Sequence, residues 1–172
     1  MSEACNIKRG KRVVRKELSQ DTGFPVFQNS LKPLGFYGKK NCDANTTFII
    51  AAGAAGQIGF SCQDFWAADD CFCLCCHPFV KDKFLYYFLL NNQTFFMSQV
   101  RTASVPRLGR NVIYDFEIPI PSIERQKEII AILDAFESLT TSLQSGLPAE
   151  IEMRKQQYEY YRNKLLFFKR AS

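Results

Sequence analysis

The sequence of 172 residues lacks the segments that carry a chain into or across a membrane. No apolar run approaches the roughly 20 residues that a membrane-spanning helix needs. The longest runs, residues 48–55 and 84–90, have the length of a strand or a short helix. Residues 1–5 show no basic stretch followed by an apolar one, as a secretory signal does. We therefore expect a soluble cytoplasmic protein with no membrane partner.

Residues and motifs that commonly carry catalysis are scarce as well. His77 is the one histidine of the chain, so a histidine-based dyad or triad has only this residue to use. A Gly-x-Ser-x-Gly elbow, a phosphate-binding loop ending in Lys-Ser/Thr and a dinucleotide fingerprint are all missing from the sequence. Asp64, Asp69 and Asp70 fit a turn leading into a strand better than they fit an acidic active site. We expect no catalytic residue and no cofactor bound to this chain.

The seven cysteines do not have the pattern of a secreted disulfide framework, because their number is odd and a chain of this size can bury a core without cross-links. Cys71, Cys73 and Cys75 occupy alternate positions, which is the period of a buried strand. Residues two apart on one strand lie about 6.6–6.8 Å apart, too far for that strand alone to surround a zinc ion. We expect reduced, buried thiols and no metal, against the alternative of a zinc site at residues 71–77.

Positive charge is concentrated near the start of the chain. Residues 1–40 contain nine Lys or Arg against three Asp or Glu, whereas the whole chain has a formal net charge of +5. Such asymmetry is typical of a protein with a polyanionic partner, although a solvated basic face has the same composition.

Three segments combine these cations with glycine, amides or aromatic rings: residues 9–12, 28–41 and 101–110. Asn and Gln can bond the edge of adenine, and Arg and Lys can bond guanine or backbone phosphates. The pattern therefore predicts binding to double-stranded DNA. The candidate DNA-binding residues are Arg9, Lys11, Arg12, Asn29, Lys32, Tyr37, Lys39, Lys40, Asn41, Gln57, Arg101, Arg107 and Arg110.

The composition of the chain changes at the prolines of residues 118–122. Before them, apolar runs such as residues 48–50 alternate with Gly, Asn and Asp, which predicts short strands and turns interrupted by one helix over residues 83–100. We expect an α+β fold there, with a mixed or antiparallel β-rich domain over residues 1–117. After them, Ser122 is a suitable helix N-cap and Gly146 is a helix terminator. Residues 118–172 are therefore predicted to form a long helical hairpin or coiled coil.

Both predicted C-terminal helices carry an apolar stripe that needs a partner. Either the helices fold back on their own globular domain, or they bind a second copy of the chain or another protein; we favour the second arrangement. The candidate interface residues are Leu133, Phe136, Leu143, Ile151, Tyr158, Tyr161, Leu165 and Phe168.

One junction carries a distinctive motif, Ile118-Pro119-Ile120-Pro121 followed by Gln126, Ile129 and Leu133-Asp134. With this motif, the sequence resembles the specificity subunits of type I restriction–modification enzymes over nearly its whole length. Members of that family usually carry two recognition domains and two helical regions, so this chain resembles half a subunit. The other segments that carry the resemblance are residues 8–12, 48–59, 65–69, 84–90 and 157–166.

The resemblance implies a non-catalytic protein with one target-recognition domain, residues 1–117, and one helical spacer and dimerisation region, residues 118–172. It implies that the chain reads a half-site on DNA while its helices position methyltransferase subunits, which bind S-adenosylmethionine, and an endonuclease subunit. A half-subunit would form a homodimer, and its target would then be a two-part inverted repeat. The alternative is a protein-interaction adaptor that dimerises through its C-terminal helices and does not bind DNA.

Overall fold

The computed structural model describes residues 1–102, 104–138, 153, 156 and 157. The chain divides into two compact units, Met1–Ile130 and Ala131–Ser172. The described strands and the helices before residue 123 all belong to the first unit, and a further helix begins at residue 123 and is described to residue 138.

The first unit mixes short strands with short helices. Its strands are β1 (Cys5–Arg9), β2 (Phe24–Phe27), β3 (Phe36–Tyr37), β4 (Thr46–Ile50), β5 (Ile58–Ser61), β6 (Trp66–Ala67), β7 (Cys71–Cys76), β8 (Val100–Arg101) and β9 (Arg107–Leu108). Its helices are a 3₁₀ turn (Arg15–Glu17), α1 (Asp82–Asn91), α2 (Gln93–Ser98) and α3 (Arg110–Tyr114), followed by α4, residues 123–138.

The central sheet has the order β1-β7-β4-β5, and all of its neighbours are antiparallel. β4 is buried along its whole length, as the run of apolar and β-branched residues at its centre predicts. β7 is the predicted cysteine-rich strand, and its register pairs Cys5 with Cys76 and Thr47 with Leu74. The prediction that residues 71–76 form a buried strand is therefore confirmed.

A second sheet has the order β3-β2-β6, in which β2 pairs with β3 antiparallel and with β6 parallel. The space beside the central sheet is filled by a cluster of three aromatic rings. The ring centroids of Phe27 and Phe48 are 4.7 Å apart, and Phe65 lies 5.5 Å from the first and 5.3 Å from the second. A second core cluster, with Leu74, Leu85 and further apolar residues, joins the central sheet to α1, α2 and α3. The mixed α and β fold class is thus confirmed.

The prediction of one helix over residues 83–100 is wrong in detail, because two helices and the start of a strand occupy this range. Asn92 separates α1 from α2: its backbone is not helical, and its side-chain amide donates to the Phe88 carbonyl at 2.8 Å. An Asn side chain that bonds the backbone in this way competes with the helix ladder. At the other end, Val100 pairs with Leu108 in the β8–β9 hairpin.

The start of α4 is as predicted. The Ser122 hydroxyl accepts a hydrogen bond from the Arg125 backbone N–H at 3.3 Å, which is the bond of an N-cap to its third helical residue. Along the rest of α4, Leu133 is half-buried and the side chain of Phe136 is 62% exposed.

The predicted break at Gly146, the second helix apart from residues 153, 156 and 157, and most of the proposed dimer interface lie outside the described residues. The interface residues outside them are Leu143, Ile151, Tyr158, Tyr161, Leu165 and Phe168. The predicted domain division at residue 117 stays a prediction. In the part of the chain that the structure describes, no helix is both long and apolar enough to cross a membrane.

Candidate nucleic-acid interface

The first basic segment follows β1 and is fixed by backbone hydrogen bonds. The Lys11 N–H donates to the Ala67 carbonyl at 2.9 Å, and the Lys11 carbonyl accepts a hydrogen bond from the indole Nε1 of Trp66 at 2.8 Å. Gly10 permits this close approach, because a Cβ at this position would lie 2.5 Å from the Ala67 carbonyl oxygen. The backbone is therefore held against β6 while the Lys11 side chain stays exposed.

Arg9 is anchored at one atom of its guanidinium group. Its Nε donates to the Asp69 carbonyl oxygen at 2.8 Å. The side chain is exposed, and its two terminal amino groups make no hydrogen bond within the described residues. A guanidinium held at Nε and open at its terminal donors suits a phosphate or a base edge. Arg12, two residues beyond Gly10, is exposed as well.

The second basic segment begins with residues that serve the fold. The Tyr37 ring lies edge-on to Trp66 with centroids 4.9 Å apart. The Asn41 amide makes two hydrogen bonds to the backbone of Ala67: Nδ2 donates to its carbonyl at 2.8 Å, and Oδ1 accepts from its N–H at 2.7 Å. The amide thus bonds the two backbone groups of Ala67 that a neighbouring strand would otherwise bond. This geometry favours a structural role for Asn41 over the predicted DNA contact.

The two lysines of this segment differ in their partners. The Lys40 ammonium forms ion pairs with Asp43 at 2.9 Å and Asp64 at 2.8 Å. Hydrogen bonds to these two carboxylates raise the pKa of Lys40, and the Lys40 ammonium together with the Ala44 N–H lowers the pKa of Asp64. Lys39 is exposed and forms no ion pair within the described residues. Of the two, Lys39 has the charge available for a polyanion.

The turn of residues 51–57, called the glycine turn, contacts the backbone of Asn29 and ends at Gln57, and both residues are predicted DNA contacts. The Ala54 N–H donates to the Asn29 carbonyl at 2.9 Å. Gly53 has φ +81°, and a Cβ there would lie 2.8 Å from the Cβ of Asn29, so the turn needs glycine at this position. Gln57 is half-buried at the end of the same turn, and its carbonyl accepts from the Ile50 N–H at 3.0 Å. Asn29 is exposed, as is Lys32 in the same loop.

The third basic segment contacts the same turn. The Leu108 N–H donates to the Ala51 carbonyl at 2.8 Å, and the Gly53 N–H donates to the Pro106 carbonyl at 3.2 Å. Arg107 forms a β-bridge with Ala52. The structure therefore joins the backbone of two of the three predicted segments, at residues 28–29 and 106–108, to the glycine turn, although these residues are far apart in sequence.

Four of the seven cysteines, Cys5, Cys42, Cys71 and Cys73, are buried, whereas Cys75 and Cys76 are half-buried and Cys62 is exposed. Cys71 donates to the carbonyls of Phe27 at 3.3 Å and Gln28 at 3.1 Å, and burial raises its pKa. Burial also raises the pKa of Cys5 to about 12. A thiol with a raised pKa stays protonated near neutral pH, which opposes both metal ligation and nucleophilic attack. Within the described residues, no cluster of three or more Cys, His, Asp or Glu is arranged to hold a metal ion.

Two residues of this region were not among the candidates. Gln99 and Asn111 line a cleft together with three of the predicted arginines. Asn111 directly follows Arg110, so the adjacent amide was a signal in the sequence. Gln99 had no such signal, because it was assigned to the interior of the predicted helix over residues 83–100.

The fold, the cleft lined by Arg101, Arg107 and Arg110, and the exposed cations of the other segments make this unit a candidate nucleic-acid-binding domain. A family model described as the type I restriction modification DNA specificity domain matches residues 1–153. The chain belongs to this family, which confirms the family resemblance of the sequence.

Individual relatives agree with this membership. The chain is 33% identical to the specificity subunit of the type I restriction enzyme MpnII of Mycoplasma pneumoniae over 168 residues, which are 95% of this chain and 50% of the relative. It is 36% identical over 94 residues to the EcoR124I/EcoR124II specificity subunit of Escherichia coli, covering 54% of this chain and 23% of the relative. The chain thus spans half or less of these two relatives.

A solved structure shows the same fold. The crystal structure of a type I restriction–modification S subunit from M. genitalium superposes with a TM-score of 0.74 at 22% sequence identity, covering 94% of this chain and 43% of that one.

Proposed function

We propose that this chain is a half-sized, non-catalytic DNA specificity subunit of a type I restriction–modification system, acting on DNA inside the cell. Its recognition domain reads one half of a two-part target on double-stranded DNA. The observation that carries the proposal is the backbone contact of Asn29 and Arg107 with the glycine turn, which ends at Gln57, in a chain of this family. Amides and guanidinium groups are the side chains that read adenine and guanine edges and bond phosphates.

The proposed DNA contacts are the candidate residues that remain after two whose side chains hold the fold together are set aside. Asn41 and Lys40 are assigned to the folding of their loop, because the first bonds the Ala67 backbone and the second is paired with two carboxylates. The remaining proposed contacts are Arg9, Lys11, Arg12, Asn29, Lys32, Tyr37, Lys39, Gln57, Arg101, Arg107 and Arg110.

The region after residue 118 is proposed to pair two copies of the chain. The exposed apolar side chain of Phe136 on α4 supports this pairing. A two-fold homodimer would present two identical readers, and its target would be an inverted repeat with a spacer. The proposed interface residues are Leu133, Phe136, Leu143, Ile151, Tyr158, Tyr161, Leu165 and Phe168.

The chemistry is proposed to reside in partner subunits. A methyltransferase subunit that binds S-adenosylmethionine would modify the DNA, and an endonuclease subunit would join for cleavage. The recognition chain would then select the site, bind no cofactor and supply no reacting group.

The methylation pattern of DNA tests this function. Cells that carry the gene for this chain and a type I methyltransferase gene should methylate a two-part inverted repeat. This methylation should be lost when the gene for this chain is deleted. A one-part or asymmetric motif would contradict the homodimer and leave DNA recognition standing. The adaptor function would instead be supported if no motif depended on the chain and the purified chain did not retain duplex DNA on a filter at low salt.

A further inference from the structure

The β8–β9 hairpin places two like charges opposite each other. Its two residue pairs are Val100 with Leu108 and Arg101 with Arg107. In directly opposed pairs the Cβ atoms lie about 4.5–5.5 Å apart, and like charges there destabilise the ribbon. Neither arginine forms an ion pair with a carboxylate within residues 1–102 and 104–138. Within these residues, the repulsion between the two exposed guanidinium groups is reduced by solvent and salt and by no carboxylate.

A third arginine is held in place beside this pair. The Arg110 guanidinium lies over the Tyr114 ring, 4.5 Å from its centroid, and donates a hydrogen bond to the Tyr114 hydroxyl. That hydroxyl in turn donates to the Ile7 carbonyl in β1 at 3.3 Å. Arg110 is thus oriented by the central sheet, which lowers the conformational entropy that it would lose on binding a ligand.

The three arginines surround one cleft of about 560 Å³ between the hairpin and α3. Gln99 and Asn111 add amide groups to its wall, and among the described residues no Asp or Glu lines it. In this part of the chain the cleft thus combines several donors with positive charge and without a competing carboxylate.

The cleft is built onto the glycine turn. β9 bonds the turn through the Leu108 N–H and the Ala51 carbonyl at 2.8 Å, and the Pro106 carbonyl accepts from the Gly53 N–H at 3.2 Å. Gly53 packs against Asn29, whose carbonyl is bonded by Ala54. A ligand that fixes the hairpin would therefore also fix the part of the domain that holds Asn29.

We propose that the cleft between the β8–β9 hairpin and α3 binds a backbone phosphate of DNA, and that Arg101, Arg107 and Arg110 are phosphate contacts that position the glycine turn with Asn29 and Gln57 for base reading. This inference rests on the proposed DNA-recognition function and separates two roles within it. The arginines supply affinity that is independent of sequence, and the amides supply the sequence preference.

The charge of the cleft favours a phosphate over a guanine edge. One arginine suffices for the bidentate contact to guanine, and a neutral base would leave the other two guanidinium groups unpaired. An anionic phosphodiester between Arg101 and Arg107 removes their repulsion and accepts hydrogen bonds from both.

The salt dependence of DNA binding by the full chain tests this assignment. R101Q and R107Q should each weaken binding to a random-sequence duplex roughly tenfold at low salt. Each should also reduce the slope of log K against log salt by about 0.9, the value for one lost phosphate contact. Both variants should keep the preference of the unmodified chain for a duplex with the target motif, as identified by methylation, over a duplex in which one base of that motif is changed. R15Q is the matched control, because Arg15 is an exposed arginine of the 3₁₀ turn outside the cleft, and its slope should not change.

Three other results would contradict the phosphate assignment or the proposed function in different ways. A changed base preference with an unchanged slope would overturn the inference, because the arginines would then read bases. Unchanged slope and preference would remove the cleft from the DNA interface. If the unmodified chain itself bound no duplex, the proposed function would fail, and the arginine variants would not be at issue.

A free nucleotide is the other source of phosphate. If ATP bound to the cleft in an arginine-dependent manner while duplex binding was insensitive to R101Q, the ligand would be a nucleotide and the DNA assignment would be overturned. Melting of each variant in the absence of ligand checks folding. R101Q should melt no lower than the unmodified chain, because it removes one of two opposed charges.

Discussion

The side-chain amide of Gln126 bonds the backbone of Lys81, 45 residues earlier in the chain: the Lys81 N–H donates to Gln126 Oε1 at 2.8 Å. The same amide donates through Nε2 to the carbonyls of Phe79 at 3.0 Å and Pro121 at 2.9 Å. Gln126 is completely buried. Three backbone groups of two separate loops thus obtain their hydrogen bonds from one side chain in the first turns of α4.

Substitution of Gln126 by Leu should therefore destabilise the domain. The apolar side chain would leave the Lys81 N–H and the carbonyls of Phe79 and Pro121 unsatisfied, and each buried unsatisfied group costs about 1–3 kcal/mol. We expect a loss of about 3–5 kcal/mol in the free energy of unfolding, measured by urea denaturation. Q63L is the matched control, because Gln63 is exposed and should tolerate the same change within about 0.5 kcal/mol. Equal stability of the two variants would show that the amide bonds contribute little.

Asn41 offers a test that separates structure from recognition. N41A removes both hydrogen bonds between the side chain and Ala67, which should lower the free energy of unfolding by about 2 kcal/mol. The sequence preference of the folded protein should be retained, because the amide is engaged with the backbone of β6. Competition between two duplexes differing at single base pairs measures this preference independently of the folded fraction. A preference altered at one position, with stability unchanged, would restore Asn41 as a base reader.

The fold elements that could be predicted from the sequence are those written in a local pattern. The alternation of thiols predicted β7, the run of residues 48–50 predicted β4, and Ser122 predicted the start of α4. These features depend on residue periodicity or on a cap two to four residues away. The break at Asn92 was missed because apolar spacing continues through it, while the side-chain bond to Phe88 is not visible as a period.

The sequence predicted which residue types the candidate site contains, but it did not predict which of these residues contact one another. Basic and amide residues marked three segments that contain exposed cations, although strands β3 and β9 and part of β8 lie within two of them. Nothing in the sequence paired Asn41 with Ala67, 26 residues away. The approach of Pro106 to Gly53 likewise depends on long-range backbone bonds. Such pairings follow from the topology of the sheets, so a residue-by-residue assignment of base readers could not have distinguished them.

Stability at alkaline pH should report the buried thiols. Burial raises the pKa of Cys71 above its unfolded value of 9.0. The protonated thiol therefore contributes stability that is complete below about pH 9 and is lost as the pH rises toward the folded pKa. Above pH 9 the free energy of unfolding should fall by about 1.4 kcal/mol per pH unit for each such thiol. For C71A, the free energy of unfolding measured by urea denaturation should fall less steeply with pH, by the contribution of one proton.

The exposed Cys62 provides the control for this measurement. C62A removes an exposed thiol and leaves Cys71 in place, so the fall in stability above pH 9 that Cys71 causes should be kept. Identical slopes for C71A and the unmodified chain between pH 9 and 11 would contradict a buried, protonated Cys71.

The proposed homodimer can be tested at α4. Phe136 is 62% exposed and Leu133 half-buried in the described residues, and burying a large apolar side chain contributes about 1.5–3 kcal/mol. A carboxylate at Phe136 should remove that contribution and add the cost of desolvating a charge. F136D should therefore raise the dissociation constant of the dimer by about tenfold to hundredfold. The dependence of the light-scattering mass on protein concentration measures this constant. S138D introduces the same charge two residues further along α4, at a small exposed side chain, and should leave the mass close to that of the dimer. A dimeric F136D, or an unmodified chain that is monomeric at all concentrations, would show that α4 does not join two copies through this residue.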